Sequence, residues 1–175
     1  MKKNFTSLAI LLAFLAVGFF LISHASKNTA PISHAPADIK YVEIGGQSVK
    51  VDLALTPEAQ AQGLSGRASL GENEGMLFVF GTPGNYLFWM KDMNFPIDMV
   101  WLAPSAGGDE ENAKIIYIEK NATPESYPAT YGPASTSSSL GGPGENDQNA
   151  KYVLEVPAGF ADKNNLKVGD SVHFR

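Results

Sequence analysis

Polar and apolar positions alternate along Ser48–Leu55, where Val49, Val51, Leu53 and Leu55 share one face and Lys50, Asp52 and Ala54 the other. A period of two is the mark of a half-buried strand. Gly45-Gly46 separates this run from Ile39–Ile44 and predicts a hairpin. Thr56-Pro57-Glu58 then supplies an N-cap residue, a proline at the first helical position and an acid in the first turn, so a short helix ending near Gly63 is expected. Met76–Phe80 (MLFVF) has no polar face and predicts a strand covered on both sides. Further strands are expected at Tyr86–Met90, Ile97–Leu102, Lys114–Lys120, Lys151–Val156 and Ser171–Phe174, with a helical turn at Gly159–Asn165. Many short strands, Gly/Pro punctuation and little helix predict an all-β domain, a compact β-sandwich or barrel, over residues 38–175.

Three segments stand apart from this pattern. Residues 1–25 open with Lys2 and Lys3, continue with an apolar run from Leu8 to Ile22 and end with small residues at Ser23 and Ala25. That is the three-part form of a signal peptide, and an N-terminal membrane anchor is the alternative. Either form predicts an exported body: periplasmic, extracellular or held at the membrane by its N-terminus. Residues 26–37 (SKNTAPISHAPA) have no apolar period and are expected to be a flexible linker. Residues 132–148 are rich in Gly, Ser and Pro and are expected to form a disordered insertion.

Composition narrows the chemistry. The chain lacks cysteine, which removes disulfides, thiolate metal sites and cysteine nucleophiles. Of three histidines, only His173 lies in the folded body, so a histidine metal site is not expected there. No cofactor and no metal are expected. A net charge of −5 offers no basic stripe for nucleic acid. The expected partner is a small molecule or an envelope protein, with membrane contact only through the N-terminal segment.

Carboxylates carry the remaining options. Glu74, Asp92, Asp98, Glu119 and Glu155 all adjoin apolar strands. Alternation places Asp98 with Val100 and Leu102, and Lys91 with Leu87 and Trp89. A Lys91–Asp98 ion pair would settle two charges drawn into apolar surroundings. It predicts that Tyr86–Met90 and Ile97–Leu102 are antiparallel neighbours. Trp89 and Trp101 are expected in the core, with a groove for sugar or peptide as the alternative. The candidate ligand or structural site is therefore Trp89, Lys91, Asp92, Asp98 and Glu155.

GMLFVF at 75–80, FWMKDMNFPIDMVWL at 88–102 and AKYVLEVPAGFADKNNLKVGDSV at 150–172, preceded by TPEAQAQGLSGR at 56–67, resemble the family called domain of unknown function 192, also known as uncharacterised protein family 0127. Trp89, Met90, Lys91, Pro96 and Asp98 match its pattern, while Asp92-Met93 stands where Asn-Thr is usual. The resemblance implies a jelly-roll-like β-sandwich, often exported, and supplies motif positions rather than a reaction. The functional expectation is an exported, non-enzymatic binding or accessory module of the cell envelope. The alternatives are a cofactor-free hydrolase or lyase, with Asp98 or Asp92 as base and Lys91 as stabiliser, and a structural or partner-interaction protein.

Overall fold

The hairpin expected around Gly45-Gly46 opens the chain's sheet. In a computed structural model describing residues 36–105, 111–133 and 149–175, β1 (Tyr41–Ile44) pairs antiparallel with β2 (Gln47–Ala54), and both turn glycines have positive φ. The expected signal or anchor segment lies outside the described residues, as do most of the linker and all of the insertion but Gly132 and Pro133. The described residues fall within one unit, Ser33–Arg175.

The remaining strands are β3 (Glu74–Gly84), β4 (Phe88–Trp89), β5 (Ile97–Pro104), β6 (Asn112–Ala122), β7 (Thr130–Tyr131), β8 (Ala150–Pro157) and β9 (Ser171–Phe174). Seven of the nine described strands close a barrel in the order β1-β2-β3-β8-β5-β6-β9, with β9 returning to β1. Of the two architectures expected from the sequence, the barrel is the one formed. All its pairs are antiparallel except β2–β3, which is parallel. A parallel pair needs a long crossover, here residues 55–73, which carry helix α1 (Pro57–Gln62). Thr56 caps α1 by accepting a bond from the Ala59 N–H at 3.2 Å. Gly75 lets β3 fit between its neighbours: a Cβ there would lie 2.7 Å from the Glu155 carbonyl oxygen.

Alternation along the strands divides the core in two. Val42, Val49, Leu77, Val100, Ile115, Leu154 and Val172 fill the barrel interior. Met76, Phe78, Ile97, Met99, Trp101 and Val153 face outward from β3, β5 and β8, and pack with Leu64 and Met90 into a second apolar cluster. This cover explains why MLFVF and IDMVWL carry apolar residues on both faces. A small ribbon of β4 and β7 lies apart from the barrel sheet, yet Phe88 packs on the outer cluster.

Tyr86–Met90 is thus not a barrel strand. β4 is two residues long and pairs with β7, while β5 lies between β6 and β8. The predicted antiparallel pairing of Tyr86–Met90 with Ile97–Leu102 does not occur. The segment instead packs across the barrel's outer face. The Trp101 indole N–H donates to the Tyr86 carbonyl at 2.8 Å, and the rings of Phe88 and Trp101 meet edge to face at 5.6 Å.

Candidate functional site

Asp98 and Lys91 do not pair. Asp98 is fully buried on the inner face of β5, as alternation required, but its partners are backbone amides. Oδ1 accepts from Asn121 N–H at 2.8 Å and Gly159 N–H at 3.2 Å, and Oδ2 accepts from Ala161 N–H at 2.8 Å. Gly159 caps helix α2 (Phe160–Lys163), so one carboxylate ties β5 to the end of β6 and to the start of α2. Three amide donors satisfy a buried carboxylate without a cation.

Lys91 is exposed and lies within a turn, where Asp92 is also exposed and adopts φ +55°. What this turn contributes to the fold is its main chain. The Lys91 carbonyl accepts from Ser65 Oγ at 2.8 Å, and the Asp92 carbonyl accepts from Gly66 N–H at 2.9 Å. Asn94 Nδ2 donates to the Arg67 carbonyl at 2.8 Å. The Lys-Asp turn and the Ser-Gly-Arg turn are therefore stitched together by backbone carbonyls that accept from Ser65, Gly66 and Asn94, and none of these bonds uses the Lys91 side chain, so position 91 is open to many side chains. Lys91→Met is accordingly expected to change the unfolding free energy by less than ~0.5 kcal/mol. Urea titration of the variant checks it, and a loss above ~2 kcal/mol would restore a buried role for the lysine.

The stitched turns border a cleft of about 250 Å³. Gln60 and Leu64 come to it from the crossover, Phe78 and Phe80 from β3, Leu87 to Trp89 from the β4 segment, and Met93 from the Lys-Asp turn. Phe80 and Tyr86 stack at 3.5 Å, and Phe78 and Phe88 meet edge to face at 4.8 Å, which fixes the walls. Trp89, expected in the core, is 52% exposed and touches Tyr127 edge to face at 6.3 Å; Trp101 is fully buried as expected. Leu87 is as exposed as Trp89, giving the cleft an apolar lip.

Glu155 lines this cleft from β8 and is 4% exposed. Register places it opposite Met76 on β3 and Met99 on β5. Its Oε2 has no hydrogen-bond partner among the described residues. Burial pushes its carboxyl up to about 8, opposed by the positive charge of Arg67, which itself binds Asp52 at 2.8 Å. The other polar lining groups are already engaged. Gln60 Nε2 donates to the carbonyls of Val79 at 3.0 Å and Ala54 at 3.3 Å, and Gln62 Nε2 to that of Ser65 at 2.8 Å.

Of the five sequence candidates, the cleft brings together Trp89 and Glu155, while Asp98 belongs to the barrel interior and Lys91 and Asp92 contribute carbonyls to the stitched turns. Glu74 is exposed and accepts from Gly71 N–H at 3.1 Å, and Glu119 accepts from the Tyr117 hydroxyl at 2.7 Å. Met93 lies in the FWMKDM stretch considered for a groove, whereas sequence reasoning missed Gln60, Phe80 and Leu87 as lining residues. Their only signal is proximity to the Gly-Arg and Lys-Asp turns, whose docking is non-local. Among the described residues, no group of three or more His, Asp or Glu is placed to hold a metal, and no helix is long and apolar enough to cross a membrane.

Solved structures similar to this chain include two bacterial proteins. A Novosphingobium aromaticivorans protein of unknown function is 27% identical over 77% of this chain and 84% of its own, with a TM-score of 0.59. A Sinorhizobium meliloti protein described as a "putative transcription regulator" is 28% identical over 73% of this chain and 83% of its own, with a TM-score of 0.57. No curated protein matches. The model of the DUF192 family, described as uncharacterised ACR, COG1430, matches residues 40–174, which span every barrel strand and both stitched turns, and the chain belongs to that family.

Proposed function

We propose that this chain is an exported, non-enzymatic binding module of the cell envelope, with the cleft beside β4 as its ligand site. The observation that carries the reading is an aromatic cleft that holds a buried, unpartnered carboxylate and opens past an exposed Trp89. Ligand sites combine such apolar walls with a few placed polar groups. A two-carboxylate mechanism is less well supported. Glu155 is the only acid among the described lining residues, and Asp98 is committed to three amides. The regulator description of the S. meliloti protein is not carried over, because a net charge of −5 is a poor match to a nucleic-acid backbone.

Export rests on Lys2, Lys3, the Leu8–Ile22 run and the small residues Ser23 and Ala25. Cell fractionation with N-terminal sequencing is expected to find the protein outside the cytoplasm, cut after Ala25 or retained at the membrane. Full-length protein in the cytosol would overturn that half of the reading. For the cleft, an NMR screen of neutral and charged fragments is expected to give hits near millimolar affinity that shift the Trp89 indole N–H. A screen whose hits all map elsewhere, or that gives none, would remove the cleft as a ligand site.

A further inference from the structure

The class of ligand follows from what the cleft offers and what it lacks, given that it is a ligand site at all. Its described polar groups reduce to one unmet need. Gln60 and Gln62 spend their amide N–H groups on backbone carbonyls, and the Arg67 guanidinium is engaged with Asp52. Among the described residues, Glu155 alone has a buried side-chain oxygen, Oε2, with no hydrogen-bond partner, on a residue only 4% exposed. In its ionised form Glu155 accepts and does not donate, so the group that complements that form is a donor, and a cationic donor makes the stronger bond and favours the ionised state. The same cleft is lined by Phe78, Phe80, Phe88 and Trp89, aromatic side chains that can attract cations and whose area favours an apolar stem. A volume of about 250 Å³ lies below the range for drug-sized ligands and suits a single side chain or a small amine.

We propose that the cleft takes a ligand with a primary ammonium or guanidinium head on a short apolar stem, the head seated at Glu155 Oε2 and the stem between the aromatic walls. The source of the head is a free organic amine or a lysine or arginine side chain. The same contact would return to Glu155 the ionised form that burial disfavours. Arg67, the charged neighbour of Glu155, does not fill this role, since it leaves Oε2 unbonded.

The test compares isosteres. 2-Phenylethylamine and 2-phenylethanol are titrated into the protein at about pH 8.5, where Glu155 ionises and an alkyl amine stays charged. Nα-acetyl-lysine amide and Nα-acetyl-arginine amide, against the norleucine analogue, form the side-chain arm. Binding is followed by calorimetry and by the Trp89 indole resonance. The charged probe in at least one arm is expected to bind about tenfold or more tightly than its neutral isostere. Glu155→Gln should abolish that preference, while Trp89→Ala should weaken charged and neutral probes alike. Thermal unfolding verifies that both variants are folded. Which arm shows the preference identifies the source. If neutral and charged probes bind the cleft equally, or the preference survives in Glu155→Gln, the cationic class is wrong and the binding reading stands. If no probe in either arm binds the cleft, the proposal fails, and the fragment screen then decides whether the binding reading falls with it.

Discussion

Asp98→Ala is expected to destabilise the barrel by about 5 kcal/mol or more, enough to leave much of the protein unfolded at ordinary temperature. The carboxylate is fully buried and meets three backbone N–H groups, from Asn121, Gly159 and Ala161. Alanine would leave all three without an acceptor. Each buried, unsatisfied donor costs ~1–3 kcal/mol, and bonds to a charged acceptor sit at the upper end. The loss is also spread over distant parts of the chain, because these donors come from the end of β6 and the start of α2. Asp98→Asn separates chemistry from size. It keeps the shape and one acceptor oxygen, but turns an amide NH₂ toward N–H groups that need an acceptor, and should cost about 2–4 kcal/mol. Urea unfolding of the three proteins measures both steps. If either variant lies within ~1 kcal/mol of wild type, the amide cluster is not what holds this end of the barrel.

The second large effect is a pH dependence placed on Glu155. Its folded-state pKa is about 8 against an ordinary 4.5, the cause being desolvation, partly offset by Arg67. Between those two values the native state keeps a proton that the unfolded chain has released. Stability therefore falls as pH rises from about 4.5 to about 8 and levels off above it. The shift corresponds to a contribution of ~5 kcal/mol. Glu155→Gln has no proton to lose and should match wild type near pH 4.5 but exceed its stability near pH 8.5. Taking the difference between the two proteins cancels the other titrating groups. A difference that stays flat across this range would show that Glu155 is not held as an acid. Keeping a negative charge on Glu155 in the unligated cleft is thus costly, which is why a cation presented there has something to gain.

How far the sequence reached depended on whether a feature is local. The turn at Gly45-Gly46, the cap at Thr56 and the alternation in β2 involve neighbours in the chain, and each appears where the pattern put it. The apolar run MLFVF implied a strand covered on both faces, though not by what. Alternation also placed Asp98 on the inner face of β5. The partner of Asp98 was not legible, because a carboxylate carries no mark that distinguishes a lysine seven positions back from amides at 121, 159 and 161. Backbone N–H groups are present at nearly every residue, so only their convergence in space selects them.

Sequence alone thus determined the β class, the short helices, most strand positions and the list of acids worth asking about, because hydrophobic period and turn chemistry act over a few residues. Tertiary structure alone decided the closed barrel, the parallel β2–β3 pair and the outer apolar cluster. It also separated the site residues that look adjacent in FWMKDMNFPID: Trp89 to the cleft, Lys91 and Asp92 to the stitched turns, Asp98 to the barrel interior. The reason is physical. A crossover of residues 55–73 must pass over the barrel wall to make a parallel pair, and where it and the β4 segment cover that wall, Glu155, which strand alternation had to turn outward on β8, is buried without a partner.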